Sequence, residues 1–252
     1  PFRFEGIISY QSGYTQVAGH RSTRRGHGFT TLATAVVEGL NVLDVVTADR
    51  VVGQISTEHP LYPDGPVPAV TFLGTRFDNL RIGGHPVKIE RCLHIIGPRR
   101  DENTSYFEDE VVTGRIGDQY TALQEEYERL SGKGEVEEEL VGWVRERYPK
   151  NRAIVRETGK ARKSMACSLV GKVSDCPHVT FGHVIHVPHF GKIVLAELTV
   201  NLDKAEPAKK PEDQEHDKYT FELKMIHLDM GCLAKGTATV AALDTNGTGG
   251  HH

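Results

Sequence analysis

The chain has 252 residues and a formal net charge of −4, with acidic and basic residues well mixed along it. A chain this long hides roughly 70–75% of its extended surface on folding and needs no covalent staples, and the lack of a basic stripe excludes non-specific nucleic-acid binding. No apolar run of about 18 residues occurs, so no transmembrane segment is expected, and no charged segment followed by an apolar one opens the chain as a signal peptide would.

Cys92, Cys167, Cys176 and Cys232 are ordinary usage for this length rather than a disulfide framework. No CxxC pair marks a zinc site. Buried free thiols are the expectation, and the local alternative is a Cys167–Cys176 bridge across a hairpin. The closing TNGTGGHH reads as a linker entering a tag over residues 248–252, which sets His251 and His252 aside.

In chain order, residues 4–17 read as two short strands broken at Gly13. Residues 19–28 (GHRSTRRGHG) form a basic loop. Clustered guanidinium groups suit a phosphate or carboxylate, so Arg21, Arg24 and Arg25 are candidate anion-binding residues; the alternative is a solvated loop. Residues 29–42 and 44–57 are strands rich in Val and Thr, with a bend at 39–43. Neither face of the second strand is purely polar, as in a sheet covered on both sides for part of its length. A Pro-rich loop fills 58–68. Strands follow at 69–75 and 77–82, then a Gly83-Gly84 hairpin whose return strand holds Val87 and Ile89.

The middle of the chain breaks this pattern. Residues 98–117 are charged and irregular. Asp118 then caps a helix with the stripe Tyr120, Leu123, Tyr127, Leu130. Gly132 and Gly134 end it. A second helix spans 135–148 with Val136, Leu140, Trp143 and Val144 on one side, and Pro149 stops it. Residues 150–163 read as a basic connector. Strands resume at 164–173, 180–187 and 192–202, the last with Val194, Ala196, Leu198 and Val200 inward and Glu197 and Thr199 outward. A polar loop at 203–217 precedes a half-buried strand whose apolar face includes His227, and a final strand covers 234–243.

These patterns predict a mainly β fold, an antiparallel β-sandwich or flattened barrel. Strand blocks 1–97 and 164–245 form one domain over 1–247, with a helical insertion at 98–163. The densest histidine cluster is His183, His186 and His189, candidate metal ligands because imidazole suits zinc, copper and iron. On one extended strand His183 and His189 share a face but lie about 20 Å apart, at ~3.3 Å per residue. A metal site therefore needs the bend at Pro188 and a ligand from elsewhere, such as Glu197 or His227. His227 itself reads more simply as a core histidine. No hydrolase elbow, phosphate-binding loop, zincin motif or dinucleotide fingerprint occurs, and no motif requires a cofactor. Asn103 and Asn246 begin glycosylation sequons.

The segments NVLDVVTADRVVGQIS (41–56), VTFLGTRFDNLRIGGHPV (70–87), VPHFGKIVLAELTV (187–200) and LKMIHLDM (223–230) resemble the all-β domain of bacterial choice-of-anchor P family surface proteins. That family's Val-Pro-Gly-x-Gly turn reads Val187-Pro188-His189-Phe190-Gly191 here. The resemblance implies a β-sandwich-like domain and an extracytoplasmic location, and it carries over no established chemistry; without it the expectation is cytoplasmic. Two functional classes follow. One is a non-catalytic binding or structural β-domain that self-associates through the helical insertion. The other is a metal-binding protein or enzyme using the histidines around Pro188.

Overall fold

The structure is a computed structural model describing residues 1–61, 67–150, 152–158, 162–204, 217–231 and 236–249. The chain begins with β1 (Phe2–Phe4), β2 (Ile8–Tyr10), β3 (Ser12–Arg21), β4 (His27–Val42) and β5 (Val46–Pro60). Short strands follow: β6 (Ala69–Thr71), β7 (Arg76–Asp78), β8 (Arg81–Ile82), β9 (His85–Pro86) and β10 (Lys88–Arg91). Helices α1 (Glu110–Gly132) and α2 (Glu138–Arg147) come next. The chain then runs through β11 (Arg156–Thr158), β12 (Arg162–Ser168), β13 (Val170–Ser174), β14 (Val179–Phe181) and β15 (Val184–Val187). Three long strands end it: β16 (Gly191–Asp203), β17 (Asp217–Met230) and β18 (Gly236–Gly249).

The fold is mainly β with a two-helix insertion, built from curled antiparallel sheets. In the first sheet β4 and β5 form a long hairpin, with β2 and β3 on the outer side of β4 and β6, β7 and β8 along β5. The second sheet orders β12, β16, β17 and β18, with β15 and β14 beside the start of β16. Strands β17 and β18 contact β4 and β5, which brings the two strand blocks together over one core.

The Gly83-Gly84 hairpin is present: Ile82 pairs with His85, and both glycines adopt positive φ at little cost. Its return strand then leaves the first sheet, and β10 pairs with β13 to link the two blocks. Gly13 lies inside β3 rather than at a break, and the basic loop shrinks to a turn because β3 runs to Arg21 and β4 starts at His27. The predicted strand over 180–187 is a hairpin, β14 turning into β15 at Gly182-His183. The last strand continues through Gly249, beyond the predicted end at 243, so residues 248 and 249 belong to it and not to a linker. Cys92, Cys167 and Cys176 are free thiols, which removes the Cys167–Cys176 bridge; Cys232, residues 205–216 of the polar loop and His251 and His252 lie outside the described residues.

Helix α1 starts two turns earlier than the sequence suggested. Asp109, not Asp118, is the cap: its Oδ1 accepts from the backbone N of Val111 at 2.9 Å and Val112 at 3.1 Å. Gly114 and Gly117 argue against a helix locally. Burial of Val112 and Ile116 in the core outweighs them. Leu123, Leu130, Leu140, Val144 and Tyr148 pack with Phe181 and Val184 of the β14–β15 hairpin. The insertion therefore covers the outer face of the second sheet, while the first sheet covers the inner one. Both faces of β15 and most of β16 are buried in consequence, and IVLAELTV reads as a nearly continuous apolar run.

A one-residue slip in side-chain alternation, with the pairing register unbroken, crosses this sheet. Ala196 and Ala241 take positive φ on either side of Met225. Before the slip Tyr219, Phe221, Leu223 and Met225 are buried; after it Ile226 and Leu228 are. His227 accordingly faces the insertion, not the core, and its Nδ1 lies 3.2 Å from Thr239 Oγ1. On β16 the slip puts Ile193 and Leu195, then Leu198 and Val200, in the main core, while Val194 falls on the other face. Gly191 is obligatory at the start of β16: at φ 136° a Cβ there would lie 2.2 Å from the Asp229 carbonyl oxygen.

Candidate functional site

Where the insertion meets β16 and β17, the structure gathers polar and aromatic groups into a cleft. Trp143, Glu146 and Arg147 come from α2, Arg152 and Arg156 from the connector after it, Glu197 and Thr199 from β16, and Asp229 from β17. They line an open space of about 460 Å³. Beneath it lies a hollow of about 20 Å³ walled by Gln119, Tyr120, Tyr148, Cys167 and His183, among others, with Arg152 and Glu197 lining both spaces.

A chain of contacts runs through the wall. Arg147 Nη2 donates to Glu197 Oε1 at 2.6 Å, and the pair is largely shielded, with side-chain exposures of 29% and 18%. Burial works against the Arg147 charge, but Glu197 and Tyr148 hold its pKa above the usual guanidinium value. The Arg147 guanidinium also sits 5.6 Å from the Trp143 ring centre. Trp143 Nε1 donates to Asp229 at 2.7 Å. Tyr148 is pushed up to about 12, chiefly by burial, so its hydroxyl stays protonated. That oxygen lies 3.2 Å from His183 Nε2. Burial, aided by Arg147, pushes His183 down to about 4, which leaves a neutral imidazole at pH 7.

Arg152 differs from Arg147. It donates to the Arg147 carbonyl at 3.3 Å and lies 5.8 Å from the Tyr120 ring centre. Burial, and then the neighbouring Arg156, lower its pKa. Among the described residues neither Arg152 nor Arg156 forms an ion pair with a carboxylate. Two like charges thus adjoin in the cleft wall without an ion pair of their own, Glu197 of the same wall acting on Arg152 only from beyond ion-pair distance.

The sequence-predicted sites fare differently. Arg24 pairs with Glu58 at 3.5 Å and closely with Glu102, and Ser22 Oγ donates to Glu58 at 2.5 Å. Buried His27 lies 3.3 Å from Glu102 and 3.7 Å from Glu58. The turn is therefore an internal acid–base cluster around Arg24, while Arg21 and Arg25 are exposed outside it. His183, His186 and His189 are not brought together. His183 is buried against Tyr148, His186 lies 4.0 Å from Glu137 beside Lys192, and exposed His189 sits in the turn before β16. Among the described residues, no group of three His, Cys, Asp or Glu side chains is arranged to hold a metal ion. Glu197 lines both spaces and His183 the hollow; His227 lines neither, although Arg147 and Glu197 act on it electrostatically. Trp143, Arg147, Tyr148, Arg152 and Arg156 were missed, because an apolar helix stripe and a basic connector are the ordinary appearance of a covering element.

The model of a family described as Domain of unknown function (DUF8256) matches residues 1–201. The chain belongs to that family. The matched span includes the whole insertion, the hollow and the β16 wall of the cleft; β17 and β18, and with them Asp229, lie beyond it. No curated protein and no solved structure matches the chain. No helix among the described residues is long and apolar enough to cross a membrane.

Proposed function

We propose that the chain is a non-catalytic binding domain that receives a small anionic molecule in the cleft between the helical insertion and the second sheet. The observation that carries this reading is Arg152, a half-buried guanidinium that faces Arg156 and has no carboxylate partner among the described residues. Two adjoining cations repel, and an anion held between them relieves that repulsion while accepting charge-assisted hydrogen bonds. Trp143 offers an aromatic wall for the rest of the ligand. The turn at Arg21, Arg24 and Arg25 has less support as the anion site, because Glu58 and Glu102 already neutralise Arg24. Self-association through the insertion also has less support, since the apolar stripes of α1 and α2 are spent on β14 and β15.

The test is calorimetric titration with sodium acetate, succinate and phosphate at constant ionic strength. Saturable binding is expected in the unaltered chain. It should weaken about tenfold in Arg152→Gln, the loss of one charge-assisted contact, and stay unchanged in the triple variant Arg21→Gln, Arg24→Gln, Arg25→Gln. Absence of saturable binding, or loss in the triple variant alone, overturns the proposal.

A further inference from the structure

The first sheet ends on a strand whose outer edge is bare. Among the described residues β3 bonds only to β4, from Ser12 opposite Glu38 to Arg21 opposite Phe29. Each of its residues is exposed. β1 covers only β2, and that pairing stops at Tyr10. A row of open N–H and C=O groups is a template for another strand, and proteins blunt such edges with Lys, Pro, bulges or short length. Other edges here follow that rule: β9 contains Pro86, and β11 and β14 are short, the former bearing Arg156 and Glu157. β3 (SGYTQVAGHR) has no Pro, Lys, Asp or Glu, and its register to β4 is unbroken. Apolar surface gathers at the same edge. Of the nine large hydrophobic side chains exposed among the described residues, Phe2, Phe4, Tyr14, Val17 and Phe29 belong to β1, β3 and the start of β4. Val17, at 73%, is the most exposed of them all.

We infer that this edge pairs with the same edge of a second copy of the chain, β3 antiparallel to β3 about a two-fold axis through Val17. A two-fold axis normal to a sheet pairs only residues that point to the same face, so one residue must meet its own copy. A dyad at Gln16 would bring Arg21 of the second copy opposite Gln11, where Pro1 continues the line of β1. A dyad at Val17 keeps the added strand clear of β1. It sets Val17 on Val17, Thr15 on Gly19, Tyr14 on His20 and Gly13 on Arg21 across the two copies. The most exposed apolar side chain is thus buried against itself, and Gly13 leaves room for the Arg21 stem. Charge also favours this arrangement. The strand carries no acid, and its basic residues, His20 and Arg21, sit together at one end. The antiparallel dyad places the two basic ends far apart, whereas a parallel pairing would stack them. The interface is separate from the cleft and from the helical insertion. Ten paired residues span about 34 Å, a small contact area among specific interfaces, so association is expected at micromolar concentration.

The test is sedimentation equilibrium of the full chain across micromolar concentrations. A reversible equilibrium between 27.9 kDa and twice that mass is expected. Val17→Lys alone and Val17→Glu alone each put like charges on the dyad and should weaken the dimer about tenfold or more. An equimolar mixture of the two variants should dimerise again, because the dyad then joins opposite charges. Both substitutions fall on an exposed side chain, and circular dichroism checks that the fold is kept. Hydrogen exchange of the unaltered chain gives a second reading that needs no variant: alternate amides of β3, those turned away from β4, should exchange more slowly at high concentration than at low. A chain that stays monomeric overturns the proposal, and so does a mixture that stays monomeric. A dimer that both variants leave intact, or that leaves β3 exchange unchanged, also overturns it and moves the contact elsewhere, such as the free edge of β18.

Discussion

Glu197 is the residue whose replacement most directly probes the cleft wall. In Glu197→Gln the shape is kept and the charge removed, so Arg147 retains a neutral hydrogen bond but loses its counter-charge. Exposed ion pairs contribute about 0–1 kcal/mol, whereas breaking a fully buried one costs about 3–5 kcal/mol. The Arg147–Glu197 pair is 2.6 Å long and its side chains are 29% and 18% exposed, so it falls between these limits. Discounting for that exposure, the expected loss is about 2 kcal/mol. For a domain of this size, that is a fall in Tm of roughly 4–8 °C. The assay is urea unfolding of the unaltered chain, Glu197→Gln, Arg147→Met and the double variant. The double variant should be less destabilised than the sum of the two singles, with a coupling of about 1–2 kcal/mol. Because Arg147 is freed in Glu197→Gln, acetate should raise that variant's Tm by more than it raises the Tm of the unaltered chain. A coupling within about 0.3 kcal/mol of zero refutes the reasoning, since it means that the pair is solvated or that Arg147 finds an equal partner elsewhere.

Three further outcomes are expected. The folded-state pKa of His183 is about 4, against an ordinary value of 6.5, so the unfolded chain binds the proton more tightly. Its contribution is complete above pH 6.5, is lost progressively as pH falls to about 4, and amounts to about 3 kcal/mol across that window. Lowered pKa values at His59, His178, His186 and His227 act in the same direction. Urea midpoints from pH 7.5 to 4.5 should therefore fall steadily, with a smaller slope in His183→Phe; a flat profile contradicts the burial of His183. Gly191→Ala should cost at least about 3 kcal/mol or prevent folding, because its Cβ would meet the Asp229 carbonyl at 2.2 Å. Gly142→Ala, in open space within α2, should stabilise by about 0.5–1 kcal/mol. Circular-dichroism melts of the two variants check both signs.

The sequence by itself determined the local β architecture. Alternation in the β5 and β17 segments, the Gly83-Gly84 pair and the Pro-rich loop follow from backbone sterics and two-residue periodicity, which act over a few residues. It also marked the helical insertion, because apolar residues at helical spacing announce themselves within one window. Three things needed the tertiary structure. The start of α1 at Asp109 depended on a core that rewards Val112 and Ile116 enough to carry two glycines in the helix. The slip at Ala196, Met225 and Ala241 is set by pairing of three strands distant in sequence, and it turned His227 away from the core. The cleft itself joins Arg147, Arg152, His183, Glu197 and Asp229 from segments up to 82 positions apart, since Asp229 and Arg147 differ by 229 − 147. His183, His186 and His189 were spread from the turn before β15 to the turn after it, while His183 and Glu197 were brought together by the pairing of β15 with β16 beneath the insertion. Chemistry at a site depends on burial and on which charges meet, and both are decided by packing between elements rather than by spacing along the chain.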